Sequence, residues 1–166
     1  MSLFIALIFS MITDINLKEP SMALLYAAQV EDLDVEEMQK THEDEIKLLN
    51  EVEDLAVEYT LRKSNISQLE EKLDEYIVHV KEHFANEERL MKKYNFPSYM
   101  MHKTAHDMFL DDLAYSVKQW KSFGDIKKII NFVYKSPEWI VMHINTVDAP
   151  TSAYIAKQMA LEAEGN

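Results

Sequence analysis

The sequence predicts an all-α fold, an up-down-up-down four-helix bundle with an N-terminal arm and a short C-terminal helix. The 166 residues include only two glycines and four prolines, and so few turn-forming residues favour long helices over many short strands. Apolar residues recur at helical spacing through four long stretches that short polar connections separate. With 48% hydrophobic residues, the chain can bury the core of one such bundle.

We divide the chain into an N-terminal extension over residues 1–33 and a bundle with its tail helix over residues 34–166. The expected helices span roughly residues 34–59, 67–94, 97–124, 125–148 and 153–163. Pro137 removes one backbone hydrogen bond and should kink or restart the fourth helix. Pro150 supports an end of that helix just after Asp148.

The first residues of the chain require a separate interpretation. Leu3–Ile12 is apolar but too short to cross a bilayer as a helix, and no Lys or Arg precedes it, the first being Lys18. No small-residue cleavage site follows, which argues against a secretory signal and favours an extension beside the bundle. The alternative is that translation starts at Met22 and that the segment before it is not part of the protein.

Charge and cysteine content narrow the partners and the chemistry. The formal net charge of −12 argues against nucleic acid and anionic membranes as partners. The absence of cysteine excludes disulfides, thiolate metal sites and cysteine nucleophiles. Cysteine usage does not fix the compartment, and because a secretory signal is disfavoured we expect a cytoplasmic protein.

The second expected helix places a histidine and a carboxylate where the core should be. His83 and Glu87 are four residues apart, so they lie one turn apart on one face. A buried carboxylate beside a buried histidine is costly unless something pairs with both. The other helices contribute further residues of ligand type at inward positions: His42, His102, His106, His143 and Asp148.

This imidazole-rich set, with two carboxylates and no sulfur, suits iron, copper, zinc or nickel. Seven ligands are too many for one ion, so two ions bridged by both carboxylates divide them sensibly. His143 and Asp148 are five residues apart, so the helix must loosen if both are to reach one ion. The sequence contains neither Glu-x-x-His nor His-Glu-x-x-His, which argues against a ferritin-like site and a metalloprotease. A metal-free interaction bundle with scattered histidines is the remaining alternative.

Four motifs in this order resemble those of the hemerythrin family, in its bacterial single-domain form. They read Met38-x-x-Thr41-His42, His83-Phe84-x-x-Glu87-Glu88-x-Leu90-Met91, Tyr99-x-x-His102-x-x-x-His106-x-x-Phe109 and Trp139-x-x-x-His143-Ile144-x-x-x-Asp148. The resemblance covers about residues 38–154, and five histidines with two acids in matching order make it specific.

The resemblance implies a non-haem di-iron protein that binds O₂ reversibly for carriage, storage or delivery. The implied ligands are His102, His106 and His143 for one iron, His42 and His83 for the second, and Glu87 and Asp148 as bridges. An oxo or hydroxo group would bridge the irons as well. The second iron would keep an open position for O₂ or for small ligands such as peroxide, NO and azide-like anions. We expect Trp139, Ile140 and Phe84 around that position, because each lies near a ligand at helical spacing.

Glu45, three residues after His42, stands where the family often has an apolar residue near the open iron. A carboxylate there could ligate the second iron, occupy the O₂ position or donate a proton, which would favour a peroxidase-like enzyme or a redox sensor. Alternatively, Glu45 turns to solvent while Ile46 enters the core. His79 either hydrogen-bonds near the ligands or is an ordinary helix-face residue. A sensor would need an unidentified protein partner, because these residues offer no effector module.

Overall fold

The computed structural model describes residue 25 and residues 27–62 and 66–165. Its α-helices are α1 (Glu36–Arg62), α2 (Ile66–Lys93), α3 (Tyr99–Phe123), α4 (Ile126–His143) and α5 (Ala149–Glu164). A 3-10 turn, Ala27–Gln29, precedes them, and a π-helix, Ile144–Asp148, joins α4 to α5. The described residues contain no strand, so the all-α prediction is confirmed. The apolar segment Leu3–Ile12 and Met22 lie outside the described residues.

The first four helices form the predicted four-helix bundle. α1 lies against α2, α3 lies against α4, and the bundle closes where α1 meets α4. On α2, fully buried side chains recur at helical spacing, as at Leu73, Tyr76 and Val80, so one apolar stripe faces the core. The same stripe continues into His83 and Glu87, which brings polar side chains into the interior. Of the helices described, none combines the length and apolarity that crossing a bilayer requires.

Residues in the left-handed conformation end α2 and α3. Gly124 (φ 72°) follows α3 in this conformation, which favours glycine, and its N–H donates to the Trp120 carbonyl at 2.7 Å. Asn95 (φ 53°) follows α2, and the N–H of Phe96 then reaches back to the Met91 carbonyl at 2.8 Å. These tight ends keep the connections short, so that successive helices pack as antiparallel neighbours.

The fourth helix stops neither at Pro137 nor at Asp148. α4 passes unbroken through Pro137, so the helix does not restart there, and the Ser136 hydroxyl donates to the Phe132 carbonyl at 2.8 Å. α4 then winds into the π-helix and directly into α5, so the predicted C-terminal helix is present as α5, but the break expected before it near Asp148 is not. Pro150 is tolerated because its missing N–H falls in the first turn after the π-helix.

The arm before α1 is tied to the bundle by side chains that bond to its backbone. Asn145, in the π-helix, accepts from the Glu31 N–H at 2.8 Å and donates to the Gln29 carbonyl at 3.2 Å. The Ser152 hydroxyl of α5 accepts from the Val35 N–H at 2.8 Å. The described part of the arm therefore depends on the segment that joins α4 to α5.

Candidate metal centre

A polar cluster lies in the middle of the bundle. Each of the four bundle helices contributes at least one side chain to it, and the π-helix contributes Asp148. Its seven side chains are at most 4% exposed: His42, His83, Glu87, His102, His106, His143 and Asp148. Their ligand atoms form two groups that share Glu87, with all atoms of a group within 4.8 Å of one another. We call His102, His106 and His143 the three-histidine side, and His42 and His83 the two-histidine side.

Glu87 directs one carboxylate oxygen to each side of the cluster. Its Oε2 lies 3.3 Å from His102 Nε2 and 3.2 Å from His106 Nε2. Its Oε1 lies 3.2 Å from His83 Nε2 and 3.7 Å from His42 Nε2. A carboxylate with one oxygen in each group can bridge two metal ions.

Asp148 has the same divided arrangement. Its Oδ1 lies 3.0 Å from His102 Nε2 and 3.2 Å from His143 Nε2, whereas Oδ2 lies 2.9 Å from His42 Nε2. The π-helix permits this contact, because it brings residues five apart onto one face. In an α-helix the same two residues would point in different directions. The loosening expected between His143 and Asp148 is therefore confirmed as a π-helix.

Among the described residues, every buried side-chain nitrogen or oxygen that lacks a hydrogen-bond partner belongs to this cluster. The atoms are Glu87 Oε2, Asp148 Oδ1, both ring nitrogens of His106, and Nε2 of His102 and His143. Apart from His106 Nδ1, these nitrogens lie 3.0–3.3 Å from Glu87 Oε2 or Asp148 Oδ1, and the five atoms form one group within 4.8 Å of one another. Unpaired buried polar atoms are costly, and a cation at the centre of this group would pair all but His106 Nδ1. The donor set therefore fits a metal such as iron.

The outer ring nitrogens hold two histidines from behind. His42 Nδ1 lies 2.7 Å from the Met38 carbonyl, and His102 Nδ1 lies 3.1 Å from the Thr151 hydroxyl. A proton on Nδ1 is donated to these oxygens and leaves the Nε2 lone pair facing the cluster. Thr151 is absent from the predicted site, because the sequence pattern suggests that α5 is a separate tail. Its place about one turn after Asp148 is the signal that would reveal it.

Glu45 takes a position that neither sequence interpretation anticipates. The residue is 2% exposed; one carboxylate oxygen lies 2.6 Å from His83 Nδ1, and the other accepts from the Tyr76 hydroxyl at 3.3 Å. Ile46 is buried as well, so both neighbours enter the core. The interpretation in which Glu45 turns to solvent is wrong, and a direct role at an open metal position is not favoured because both oxygens are engaged.

His79, the sixth histidine, lies at the edge of this network. Its Nε2 is 3.2 Å from the Thr41 carbonyl, and its ring centroid is 6.2 Å from that of His83. His79 thus contacts the backbone on a half-buried helix face and also lies beside Glu45 and His83, with ligand atoms within 4.8 Å of one another.

A cavity of about 10 Å³ adjoins the two-histidine side. Its lining consists of His42, Glu45, His83, Phe84, Trp139, Ile140, His143, Ile144 and Asp148. Phe84, Trp139 and Ile140, which we expected around a small ligand, are thus all in its wall. The aromatic residues also pack on the three-histidine side: Phe84 stacks on His106 with centroids 3.8 Å apart, and Trp139 stacks on His143 at 4.3 Å.

The titratable groups of the cluster shift one another's pKa. Burial alone would lower the pKa of His83, but the charges of Glu87 and Glu45 outweigh it and hold that pKa well above its usual range. Burial also opposes protonation of His102, yet the adjacent carboxylates of Asp148 and Glu87 raise its pKa to about 9. Burial would raise the pKa of Glu87, but the histidines lower it well below its usual range. A metal that binds here therefore displaces histidine protons and binds more tightly as pH rises.

Known proteins similar to this chain belong to one family. The family model of the Hemerythrin HHE cation binding domain matches residues 27–149. The bacteriohemerythrin of Aquifex aeolicus (strain VF5) is 30% identical over 116 residues, covering 69% of this chain and 85% of that protein. The bacteriohemerythrin of Ralstonia nicotianae (strain ATCC BAA-1114 / GMI1000) is 30% identical over 86 residues, covering 52% of this chain and 62% of that protein. No solved structure gives a significant match. Because the family domain spans most of the chain and includes all seven cluster residues, this chain is a bacteriohemerythrin-like member of the hemerythrin family.

Proposed function

We propose that the chain binds two iron ions in the polar cluster and through them binds O₂ reversibly, for carriage, storage or delivery. The observation that carries the proposal is the placement of Glu87 and Asp148, each with one oxygen on each side. Two ions that share these carboxylates would use all seven side chains. The names of the bacteriohemerythrin relatives support the same function.

In this proposal each side of the cluster holds one ion. The ligands would be His102, His106 and His143 for one iron, His42 and His83 for the other, and Glu87 and Asp148 for both, with an oxo or hydroxo bridge. The bound irons would supply the electrons that O₂ takes up and returns. The two-histidine side has one histidine fewer and adjoins the cavity, so we place O₂, or peroxide, NO and azide-like anions, on that side.

The wall of the cavity suits a small, weakly polar ligand. Phe84, Trp139 and Ile140 present apolar surface, and the volume of about 10 Å³ is about that of one water-sized probe, so the ligand must be small. Trp139 lies nearly parallel to the ring of His143, with 13° between the planes, and so fixes the orientation of the His143 ring. Exclusion of water by these side chains disfavours the escape of a charged product and so favours release of neutral O₂.

The alternatives have no specific observation in their favour. A peroxidase-like enzyme or a sensor that depends on Glu45 would need its carboxylate at the open position, but His83 and Tyr76 engage both oxygens. A metal-free bundle would leave the buried polar atoms of the cluster unpaired. The proposal includes the cytoplasm as the compartment and, with a net charge of −12, neither nucleic acid nor anionic membrane as a partner.

Metal analysis combined with an optical spectrum tests the proposal. The protein is reconstituted with Fe(II) without O₂, its iron is counted, and spectra are recorded before O₂ is added, after addition and after removal. We expect two irons per chain and absorption bands that appear with O₂ and disappear when O₂ is removed. A protein that retains no iron, or whose spectrum does not return after O₂ is removed, would overturn reversible O₂ binding at this site.

A further inference from the structure

Glu45 lies directly behind His83, on the side of the ring that faces away from the cluster. Its Oε2 is 2.6 Å from His83 Nδ1, while Nε2 of the same ring faces Glu87 Oε1 at 3.2 Å. Its other oxygen accepts from the hydroxyl of Tyr76, a fully buried residue. The imidazole is therefore held between two carboxylates, and both oxygens of Glu45 have partners on α2.

The contact with Glu45 determines which nitrogen of His83 carries the proton. A neutral imidazole has one N–H and one lone pair. Ionised carboxylates lie against both ring nitrogens and can accept but not donate. When a metal takes the place of the proton on Nε2, the proton on Nδ1 therefore stays, with Glu45 as its acceptor, and Nε2 faces the metal. The 2.6 Å separation is in the range of a charge-assisted hydrogen bond.

Three other histidines of the cluster differ from His83 in this respect. The Nδ1 atoms of His42 and His102 meet neutral oxygens, a carbonyl and a hydroxyl. Nδ1 of His106 is 3.8 Å from a carboxylate oxygen of Glu88, which is beyond hydrogen-bond distance. Of these four rings, only His83 has a carboxylate in contact with its outer nitrogen. The Glu45 side chain is 3% exposed and that of Glu88 is 17% exposed, so the closer and more deeply buried negative charge is on the two-histidine side.

We propose that Glu45 is a positioning residue for the two-histidine side, which fixes His83 with Nε2 toward the metal and favours the more oxidised ion there. This inference rests on the proposed function and adds that its two metal positions differ in how readily they are oxidised. An imidazole that donates to a carboxylate is a stronger electron donor to a metal. A nearby negative charge also stabilises the more highly charged ion.

Three substitutions separate position from charge. Glu45→Gln keeps an oxygen that can accept from Nδ1 and removes the charge. Glu45→Leu removes both the acceptor and the charge, and an apolar side chain suits the buried position. Glu53→Gln is the matched control, because Glu53 is also a buried carboxylate of α1 and contacts Tyr134.

The readouts are the iron affinity of each position, the reduction potential, and the NMR signals of His83 in zinc-loaded protein. Zn²⁺ is diamagnetic and accepts the same ligand types. We expect Glu45→Gln to keep two irons and the Nδ1 proton but to raise the reduction potential. We expect Glu45→Leu to weaken the second iron about 10- to 100-fold and to remove the signal of a hydrogen-bonded Nδ1 proton of His83 in zinc-loaded protein. Glu53→Gln should match the wild type.

Unchanged iron affinity, reduction potential and His83 signals in Glu45→Leu would overturn the inference. So would an equal change in Glu53→Gln, since that result would indicate a general effect of a buried charge. A wild-type chain that takes up zinc but no iron would refute the proposed function alone. The His83 signals of the zinc-loaded variants would still decide whether Glu45 positions the ring.

Discussion

The two sides of the cluster hold their histidines by different means. On the three-histidine side, aromatic rings lie flat on imidazoles: Phe84 is parallel to His106 within 2°, and Trp139 to His143 within 13°. On the two-histidine side, the imidazoles meet edge to face with centroids 4.5 Å apart. Hydrogen bonds from behind hold both of these rings, as Thr151 holds His102 on the other side, and the cavity adjoins them.

Because of this difference, the three-histidine side is the more rigidly packed, and the two-histidine side is the more accessible to a small ligand. Stacked rings fill the space around the three-histidine side and exclude water from it. On the two-histidine side, the Met38 carbonyl and the Glu45 carboxylate support the rings from behind, so that their inner faces can adjoin a cavity. A small ligand should therefore meet the cluster on the two-histidine side, and experiments can address each side separately.

Removal of the metal should have the largest effect on stability. It acts on both sides of the cluster at once, so it does not distinguish them. If iron is present at about 1,000 times its Kd, binding adds about 4 kcal/mol to stability, and this corresponds to a melting temperature about 10 °C higher for a chain of this size. Calorimetry of iron-loaded and chelator-stripped protein measures the shift. Equal melting temperatures, with loss of iron verified by metal analysis, would contradict a metal that is coupled to folding.

The next largest effect is expected from His42→Ala, which should cause the loss of one iron rather than both. His42→Ala leaves a single histidine on the two-histidine side, so we expect the iron content to fall from two to about one per chain. The O₂-dependent absorption should disappear with it. His79→Ala is the control, because His79 is the one histidine outside the seven-residue cluster; it contacts the Thr41 carbonyl and lies beside His83. Retention of two irons and of the O₂ response in His42→Ala would show that this histidine is not a ligand.

The pKa shifts of metal-free protein distinguish the sides as well. Although burial opposes it, nearby carboxylates raise the pKa of both His42 and His83. On the three-histidine side the pKa of His102 rises to about 9, whereas burial lowers that of His106. A raised folded-state pKa gives stability that is complete below the unfolded value of about 6.5 and is lost as pH rises through the folded value. A lowered histidine pKa has the opposite effect.

We therefore expect the stability of stripped protein to fall from about pH 6.5 to about 9. The raised pKa of His102 accounts for on the order of 3 kcal/mol of this loss of stability at most. The raised pKa values of His42 and His83 add to the loss, because both shifts act in the same direction. Urea unfolding across this range measures it. Iron-loaded protein should lack the fall, since the metal has replaced the protons. A stripped protein that gains stability over the same range would contradict a raised pKa for these histidines.

The smallest effect concerns the cavity wall. Ile140→Val removes one methylene beside the two-histidine side and should cost about 1 kcal/mol while azide binds faster to iron-loaded protein. Ile129→Val is the matched control, since Ile129 is equally buried on α4 but does not line the cavity. It should cost as much stability without changing the binding rate. Equal acceleration in both variants, measured by stopped-flow absorption, would argue against access through this wall.

Much of this arrangement is predictable because it is local. His83 and Glu87 lie one turn apart on an apolar stripe, so the fold that buries the stripe also buries them. The contact of Glu45 depends instead on how far α1 is rotated against α2. Glu45 and Ile46 are neighbours on one helix face, and helical spacing alone allows either to enter the core. The partner of Glu45 is therefore a property of the tertiary packing.

The π-helix is a second feature that the pattern predicts only indirectly. The five-residue spacing of His143 and Asp148 indicates that the helix must loosen, but Pro150 suggests an end rather than a continuation. Because the helix continues as α5, Thr151 reaches the back of His102. Sequence reasoning that ends the helix at Asp148 has no means of placing Thr151 there.

The extra residue in the π turn also sets the rotational register of everything that follows it. Asp148 faces the cluster, and Ser152, one turn later, holds the backbone of Val35 before α1. Regular α-helical winding of the same residues would swing both side chains by about 100° around the axis. The contact of Ser152 with Val35 and the placement of Asp148 in the cluster would thus be lost together, although Val35 and Asp148 lie near opposite ends of the polypeptide.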